Sequence, residues 1–221
     1  MDFTGLTIIS GHYGSGKTNL SLNLALYLAA KGEEVTVIDM DIVNPYFRAS
    51  DSREMLQKHG VKLVGPSMAG STLDVPFLPP EMDNLIRTGK CVIIDVGGDD
   101  SGATALGCYA GAVNSREHEM LYVINRYRAL SRTAEEALEL MHEIEGASHL
   151  KATAIVNNSH LMELTSADTL RDSLAFADEV SALSGLPIKF TAAKEEVASE
   201  LEIPNVFPVK RLVRLPWEEE I

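Results

Sequence analysis

Residues 11–18 read Gly-His-Tyr-Gly-Ser-Gly-Lys-Thr, a glycine-rich segment with the spacing G-x-x-x-x-G-K-[ST]. Residue types in that order suit one chemistry, the cradling of a polyphosphate. Gly11, Gly14 and Gly16 permit the tight turns that aim successive backbone N–H groups at phosphate oxygens. Lys17 adds a mobile cation for β- and γ-phosphates, and the Thr18 hydroxyl is placed to ligate Mg²⁺. The candidate nucleotide-binding segment is therefore Gly11, His12, Tyr13, Gly14, Ser15, Gly16, Lys17 and Thr18, with Asn19 following. Two acidic clusters come later, Asp39-Met40-Asp41 and Asp95-Val96-Gly97-Gly98-Asp99-Asp100. Each ends a β-branched run, Val35-Thr36-Val37-Ile38 and Val92-Ile93-Ile94. A carboxylate at the end of an apolar strand suits a Mg²⁺ ion near the β/γ-phosphates, which makes Asp95 and Asp39 metal candidates beside Thr18. Alone, either cluster reads as a turn or helix cap; beside a phosphate loop it points to metal and water chemistry.

These residues need a scaffold that brings strand ends together. The phosphate loop follows Leu6-Thr7-Ile8-Ile9 and precedes an apolar-periodic stretch, a strand–loop–helix order. Short β-branched runs alternate with helix-period segments along the chain, the pattern of βα units and a mainly parallel sheet. Strands are predicted near Leu6–Ser10, Val35–Asp39, Lys62–Val64, Cys91–Asp95, Met120–Ile124, Ala152–Asn157, Ile188–Thr191 and Val206–Pro208. Helices are predicted over Lys17–Lys31, Glu81–Thr88, Ala103–Arg116, Ser131–Glu145, Ser166–Leu183 and Glu195–Glu200, with Gly32 closing the first and Ser131 capping the fourth. Gly65 to Pro80 holds four prolines and two glycines and reads as a long functional loop.

The expected fold class is thus α/β, a P-loop NTPase with about seven or eight mainly parallel strands flanked by helices, in one nucleotide-binding domain over 1–221. A net charge of −13 disfavours nucleic acid and anionic membranes as partners. No C-x-x-C pairs Cys91 with Cys108 for zinc or an iron–sulfur cluster, and no histidines show ligand spacing. The N-terminus enters the first strand directly, and no apolar run reaches spanning length, so the expected compartment is the cytoplasm. Lys210–Leu215 is too short and too hemmed by prolines for a membrane anchor.

A phosphate loop near the N-terminus, Asp-x-Asp after the second strand and Asp-x-Gly-Gly after a later one together resemble the MinD/ParA-type ATPases. Relatives of these include the nucleotide-binding domains of cobyrinic acid a,c-diamide synthase and dethiobiotin synthetase. The resemblance runs from Leu6 through Val209. It implies ATP and Mg²⁺ as ligands, Asp39 assisting the metal and Asp41 orienting or activating the attacking water, so that Lys17 and Asp41 are the catalytic candidates. One departure stands out. The family carries a signature lysine after the first loop glycine, reaching across a nucleotide-sandwich dimer; here His12 occupies that position, and Tyr13 stands where a glycine is usual. That argues against an ATP-sandwich homodimer and leaves a homodimer through other surfaces open.

For the base, Asn157-Asn158-Ser159-His160 ends a strand and lacks the aspartate of a guanine-reading Asn-Lys-x-Asp. The resemblance implies an asparagine reading the adenine edge, Asn157 first and Asn158 in reserve; an Asn pair in a plain turn is the alternative. Thr191-Ala192 is placed to border the base. Tyr46, Phe47 and Arg48 form either a core-tucked loop or a switch and partner contact, and Arg126, Arg128 and Arg132 either a solvated face or an anion site. The expected function is an ATP-binding protein with slow Mg-dependent hydrolysis, switching an unidentified partner protein. The alternative is an ATP-dependent carboxylate-activating synthetase, with Arg48, Arg126 or the Gly65–Pro80 loop helping to hold the carboxylate.

Overall fold

The computed structural model describes residues 1–41, 52–65 and 81–213. In chain order these form β1 (Leu6–Ser10), α1 (Lys17–Ala30), β2 (Val35–Met40), α2 (Arg53–Lys58), β3 (Lys62–Val64), α3 (Met82–Thr88), β4 (Cys91–Val96) and α4 (Asp100–Gly107). There follow α5 (Ala110–Val113), β5 (Glu119–Ile124), α6 (Ala134–Ser148), β6 (Ala154–Asn157), α7 (Ala167–Ser184), β7 (Ile188–Lys194), α8 (Glu195–Ala198) and β8 (Val206–Val209). The eight strands make one sheet in the order β3-β2-β4-β1-β5-β6-β7-β8. Every pairing is parallel, as the alternation of βα units predicts. The expected segments 42–48 and 66–80, including Tyr46, Phe47 and Arg48, lie outside the described residues, as does the end of the 210–215 stretch.

Parallel strands covered on both faces read as continuous apolar runs, and β1, β2, β4 and β5 are buried throughout. Side chains still alternate between the faces. Val35, Val37, Cys91 and Ile93 pack in a cluster with Leu20, Leu24 and Leu28 of α1. Their neighbours Ile38, Met40, Val92 and Ile94 pack with Met82 and Ile86 of α3 and Leu106 of α4. The period of two then decides where the acids go. Asp39 continues the Val35-Val37 row and Asp95 the Cys91-Ile93 row, so both point to the α1 face.

Three differences from the sequence reading have local causes. The single helix expected over Ala103–Arg116 is two, α4 and α5. It begins earlier because Asp99 caps it, accepting from Gly102 N at 3.0 Å. It stops where α4 meets α6, since a Cβ on Gly107 would lie 2.7 Å from Ala147 O. The cap of α6 is Thr133 in a capping box with Glu136 rather than Ser131, whose hydroxyl donates to Asn125 O. The six-residue α2 was not foreseen: it buries only Leu56 and is too short to show a period.

Candidate nucleotide-binding site

The loop between β1 and α1 has the backbone its glycines allow. Gly11, Gly14 and Gly16 all take positive φ, at 143°, 75° and 90°. A Cβ on Gly11 would fall 2.4 Å from Val123 O, and one on Gly16 would fall 2.3 Å from Asn158 Nδ2. The loop is therefore held between the strand ends of β5 and β6 and tolerates no side chain at either point. Gly16 also opens α1, so the unpaired N–H groups of the first helical turn face the loop's concave side.

Lys17 is only 7% exposed, and its Nζ donates back across the loop to His12 O at 3.1 Å. Burial pushes its pKa down, with Asp95, Asp41 and Asp99 opposing that push. A polyphosphate in the loop would supply the counter-charge this ammonium lacks. Asp39 and Asp95 sit directly opposite one another on β2 and β4. The Asp95 Oδ1 accepts from Ser21 Oγ at 3.1 Å, while its Oδ2 is buried without a hydrogen-bond partner. Burial pushes this carboxyl up to about 6, against the pull of the Thr18 hydroxyl and Lys17. A buried carboxyl oxygen without a partner, beside Thr18, fits a cation there. Among the described residues no group of three or more acidic, His or Cys side chains gathers to cage a metal.

Asp41 follows β2 with its N–H donating to Asp39 Oδ1 at 3.0 Å, and its side chain reaches the same cavity as Lys17 and Thr18. The Gly97-Gly98 turn after β4 closes over the phosphate loop. A Cβ on Gly98 would sit 2.7 Å from both Lys17 Nζ and Tyr13 Cα. The carboxylate strands and the phosphate loop are thus in contact through glycine backbone.

A cavity of about 430 Å³ runs from this point across the ends of β6, β7 and β8. It brings together most of the predicted residues: Tyr13, Gly14, Gly16, Lys17, Thr18, Asn19 and Asp41. Asp39 and Asp95 stand beneath it. His12 contributes its carbonyl to Lys17, and its ring lies half-buried outside the lining. Asn157 is not brought to the cavity. It is fully buried, donating to Ser173 Oγ at 3.0 Å and accepting from Ser159 N at 3.2 Å. Its neighbour Asn158 lines the wall instead, with Nδ2 donating to Ser15 O at 2.7 Å and Oδ1 left for an outside donor. Consecutive strand residues point oppositely, so a one-residue choice decides which asparagine faces the site. The three arginines do not cluster in function. Arg128 Nε donates to Gly14 O at 2.7 Å, Arg126 donates to Asp172 O on α7, and Arg132 caps toward Glu136 through its N–H.

His160, Glu163, Lys194 and the segment 210–213 are cavity residues that the sequence motifs did not mark. His160 Nδ1 accepts from Met162 N at 3.3 Å, which leaves the ring proton on Nε2. Burial, with Arg128 and Lys194 nearby, pushes its pKa down to about 4, so the ring is neutral. Glu163 is held by Lys194 at 2.7 Å and by Arg211 at 3.2 Å. Strand β7 runs to Lys194, past the expected Thr191, so Ala192 and Ala193 also form wall. No helix among the described residues is long and apolar enough to cross a membrane.

Comparison with known proteins gives a family and a fold. The sequence model described as the CobQ/CobB/MinD/ParA nucleotide binding domain matches residues 6–169. No curated protein matches the chain. Among solved structures, the signal recognition particle 54 kDa protein of Aeropyrum pernix K1, in complex with GDP, has a TM-score of 0.55 at 18% identity, covering 86% of this chain and 41% of its own. The FtsY protein of Mycoplasma mycoides has a TM-score of 0.55 at 18% identity, covering 87% and 60%. The cell division protein FtsY of Thermotoga maritima has 0.53 at 20%, covering 86% and 62%. This chain spans less than two thirds of each of those structures, and at such identities the likeness establishes the fold.

Proposed function

We propose that this chain, which belongs to the CobQ/CobB/MinD/ParA nucleotide-binding domain family, is a cytoplasmic switch that binds Mg·ATP, hydrolyses it slowly and signals its state to a partner protein. The observation carrying this reading is the contact between the Gly97-Gly98 turn and the phosphate loop. Gly98 lies so close to Lys17 and Tyr13 that the turn must respond to a γ-phosphate arriving there. The Gly97 backbone meets Asp41 on one side, with a Cβ there falling 3.4 Å from Asp41 Oδ1, and α4 begins two residues beyond Gly98. A γ-phosphate would thereby be coupled to a helix on the surface.

In this account Lys17 and the loop N–H groups bind the phosphates. Thr18 and Asp95, with Asp39 behind, would hold Mg²⁺, which when bound neutralises charge on the β- and γ-phosphates. Asp41 orients the attacking water and receives its proton. Adenine is favoured because, among the described residues, the only carboxylate at the base end of the cavity is Glu163, which is engaged by Lys194 and Arg211. A guanine reader needs a carboxylate for the ring N–H and exocyclic amine, whereas Asn158 Oδ1 suits the adenine amine. The structural neighbour solved in complex with GDP makes GTP the competitor to test.

The synthetase reading calls on Arg48, Arg126 or the Gly65–Pro80 loop to hold a carboxylate. Arg126 is turned to α7, and Arg48 and residues 66–80 lie outside the described chain. Hydrolysis measured with ATP and with GTP, on wild type and Asp41→Asn, tests the proposal. ATP should be the better substrate, and Asp41→Asn should lower turnover about 100-fold while leaving binding nearly intact. Wild-type turnover in Asp41→Asn would remove Asp41 from the mechanism, and turnover only with an added carboxylate acceptor would favour a synthetase.

A further inference from the structure

Among the described residues no strand pairs with the outer edge of β8, yet the chain from Lys210 to Val213 is held firmly against α1. Two asparagines at i and i+4 of that helix do the holding. Asn23 makes a reciprocal pair with the backbone of one residue, donating from Nδ2 to Lys210 O at 2.8 Å and accepting from Lys210 N at 2.8 Å. Asn19 donates to Lys210 O at 3.0 Å and accepts from Leu212 N at 2.8 Å and from Val213 N at 3.4 Å. The amide side chain carries a donor and an acceptor side by side and so mimics the missing neighbouring strand. The held segment is also cavity wall: Val209, Lys210, Arg211 and Val213 line the space beside Lys17 and Thr18. Its side chains are held in turn, Arg211 by Glu163 of the cavity wall at 3.2 Å and Lys210 by Glu195 of α8 at 3.5 Å.

Asparagine is a poor choice for a helix interior on propensity alone. Alanine at either position would make a better isolated helix; Asn23 Nδ2 also donates to Asn19 O within the helix at 2.7 Å, but every other side-chain bond of the pair goes to the 210–213 segment. We propose that Asn19 and Asn23 are positioning residues that clamp the 210–213 segment as a wall of the nucleotide cavity, so that nucleotide release requires the clamp to open. This presupposes that the cavity takes a nucleotide, as proposed above. Asn23 is the cleaner probe, because it is buried behind the wall and is not itself part of the cavity lining.

The test is the dissociation rate of mant-ATP and mant-GTP from wild type, Asn23→Ala and Asn23→Asp, with melting temperatures taken with and without nucleotide. Asn23→Asp keeps the size and one acceptor but sets a carboxylate against Lys210 O, which guards against a variant lost simply to a cavity. Both variants should release the bound nucleotide about 10-fold faster, and their nucleotide-induced rise in melting temperature should shrink. A purely structural asparagine would lower both melting temperatures equally and leave the release rate alone. Wild-type release rates in both variants would overturn the clamp while leaving the nucleotide site standing. Failure of wild type to bind either probe would overturn the nucleotide site and the clamp together.

Discussion

At the residue scale, the site depends on close approaches that only certain side chains permit. Gly98 is the case that joins the two loops, because a methyl there would meet the Tyr13 backbone at 2.7 Å. Gly98→Ala should leave the fold intact, since the sheet core is untouched, and lower turnover about 10-fold or more by forcing two loops apart. Hydrolysis at the wild-type rate would show that the turn need not contact the phosphate loop. His160 gives a pH prediction with a definite sign. Its pKa is pushed from 6.5 down to about 4 by burial, Arg128 and Lys194. The unfolded chain therefore takes up a proton near pH 6.5 that the folded chain refuses until about 4, and stability present above the first value is lost as pH falls toward the second. Urea unfolding at pH 7 and at about pH 5 should show wild type losing about 1–2 kcal/mol more than His160→Gln. Equal losses would place the acid sensitivity in another group. Neither residue was legible beforehand in this role. The Gly97-Gly98 pair was readable as a mobile turn, but its contact with Lys17 depends on how far β4 carries it, and nothing in the spelling of Asn157-Asn158-Ser159-His160 tells which side chains face inward.

At the element scale, the chain advertised its plan well where runs were long. The βα alternation gave the parallel sheet, and the boundaries of β1 and β3 match the sequence reading to the residue. The acidic strand ends were equally readable, because a period of two from Val35 and Cys91 carries Asp39 and Asp95 to the same face. Short or tertiary-dependent features were not. Helix α2 has six residues, and the break between α4 and α5 arises from contact with α6 rather than from a proline. The capping box Thr133-Ala134-Glu135-Glu136 was a readable signal passed over for Ser131. It yields a clean check: Thr133→Ala removes the bond to Glu136 N and should cost about 1 kcal/mol in denaturant unfolding. Nucleotide affinity should not change, because α6 contributes nothing to the cavity. A destabilisation near zero would mean that the first turn of α6 is held by packing alone.

At the scale of the whole molecule, the strand order does the assembling. Placing β1 between β4 and β5, with β2 beyond β4, brings the phosphate loop and both aspartate strands to one edge. The remaining strands carry the same edge onward to His160, Lys194 and the 210–213 segment, which completes the cavity from parts far apart in sequence. Net charge of −13 is set aside locally, since Lys17, Arg128, Lys194, Lys210 and Arg211 all border that cavity. The family match secures nucleotide binding as the theme, and the choice of nucleotide falls to the wall residues. Calorimetric titration of wild type and Lys17→Ala with ATP and with GTP, each with and without Mg²⁺, tests the central claim most directly. The account predicts ATP bound more tightly than GTP, tightened further by Mg²⁺, and weakened at least about 10-fold by Lys17→Ala. Equal ATP affinity in wild type and Lys17→Ala would contradict it, and tighter binding of GTP would contradict its assignment of the base.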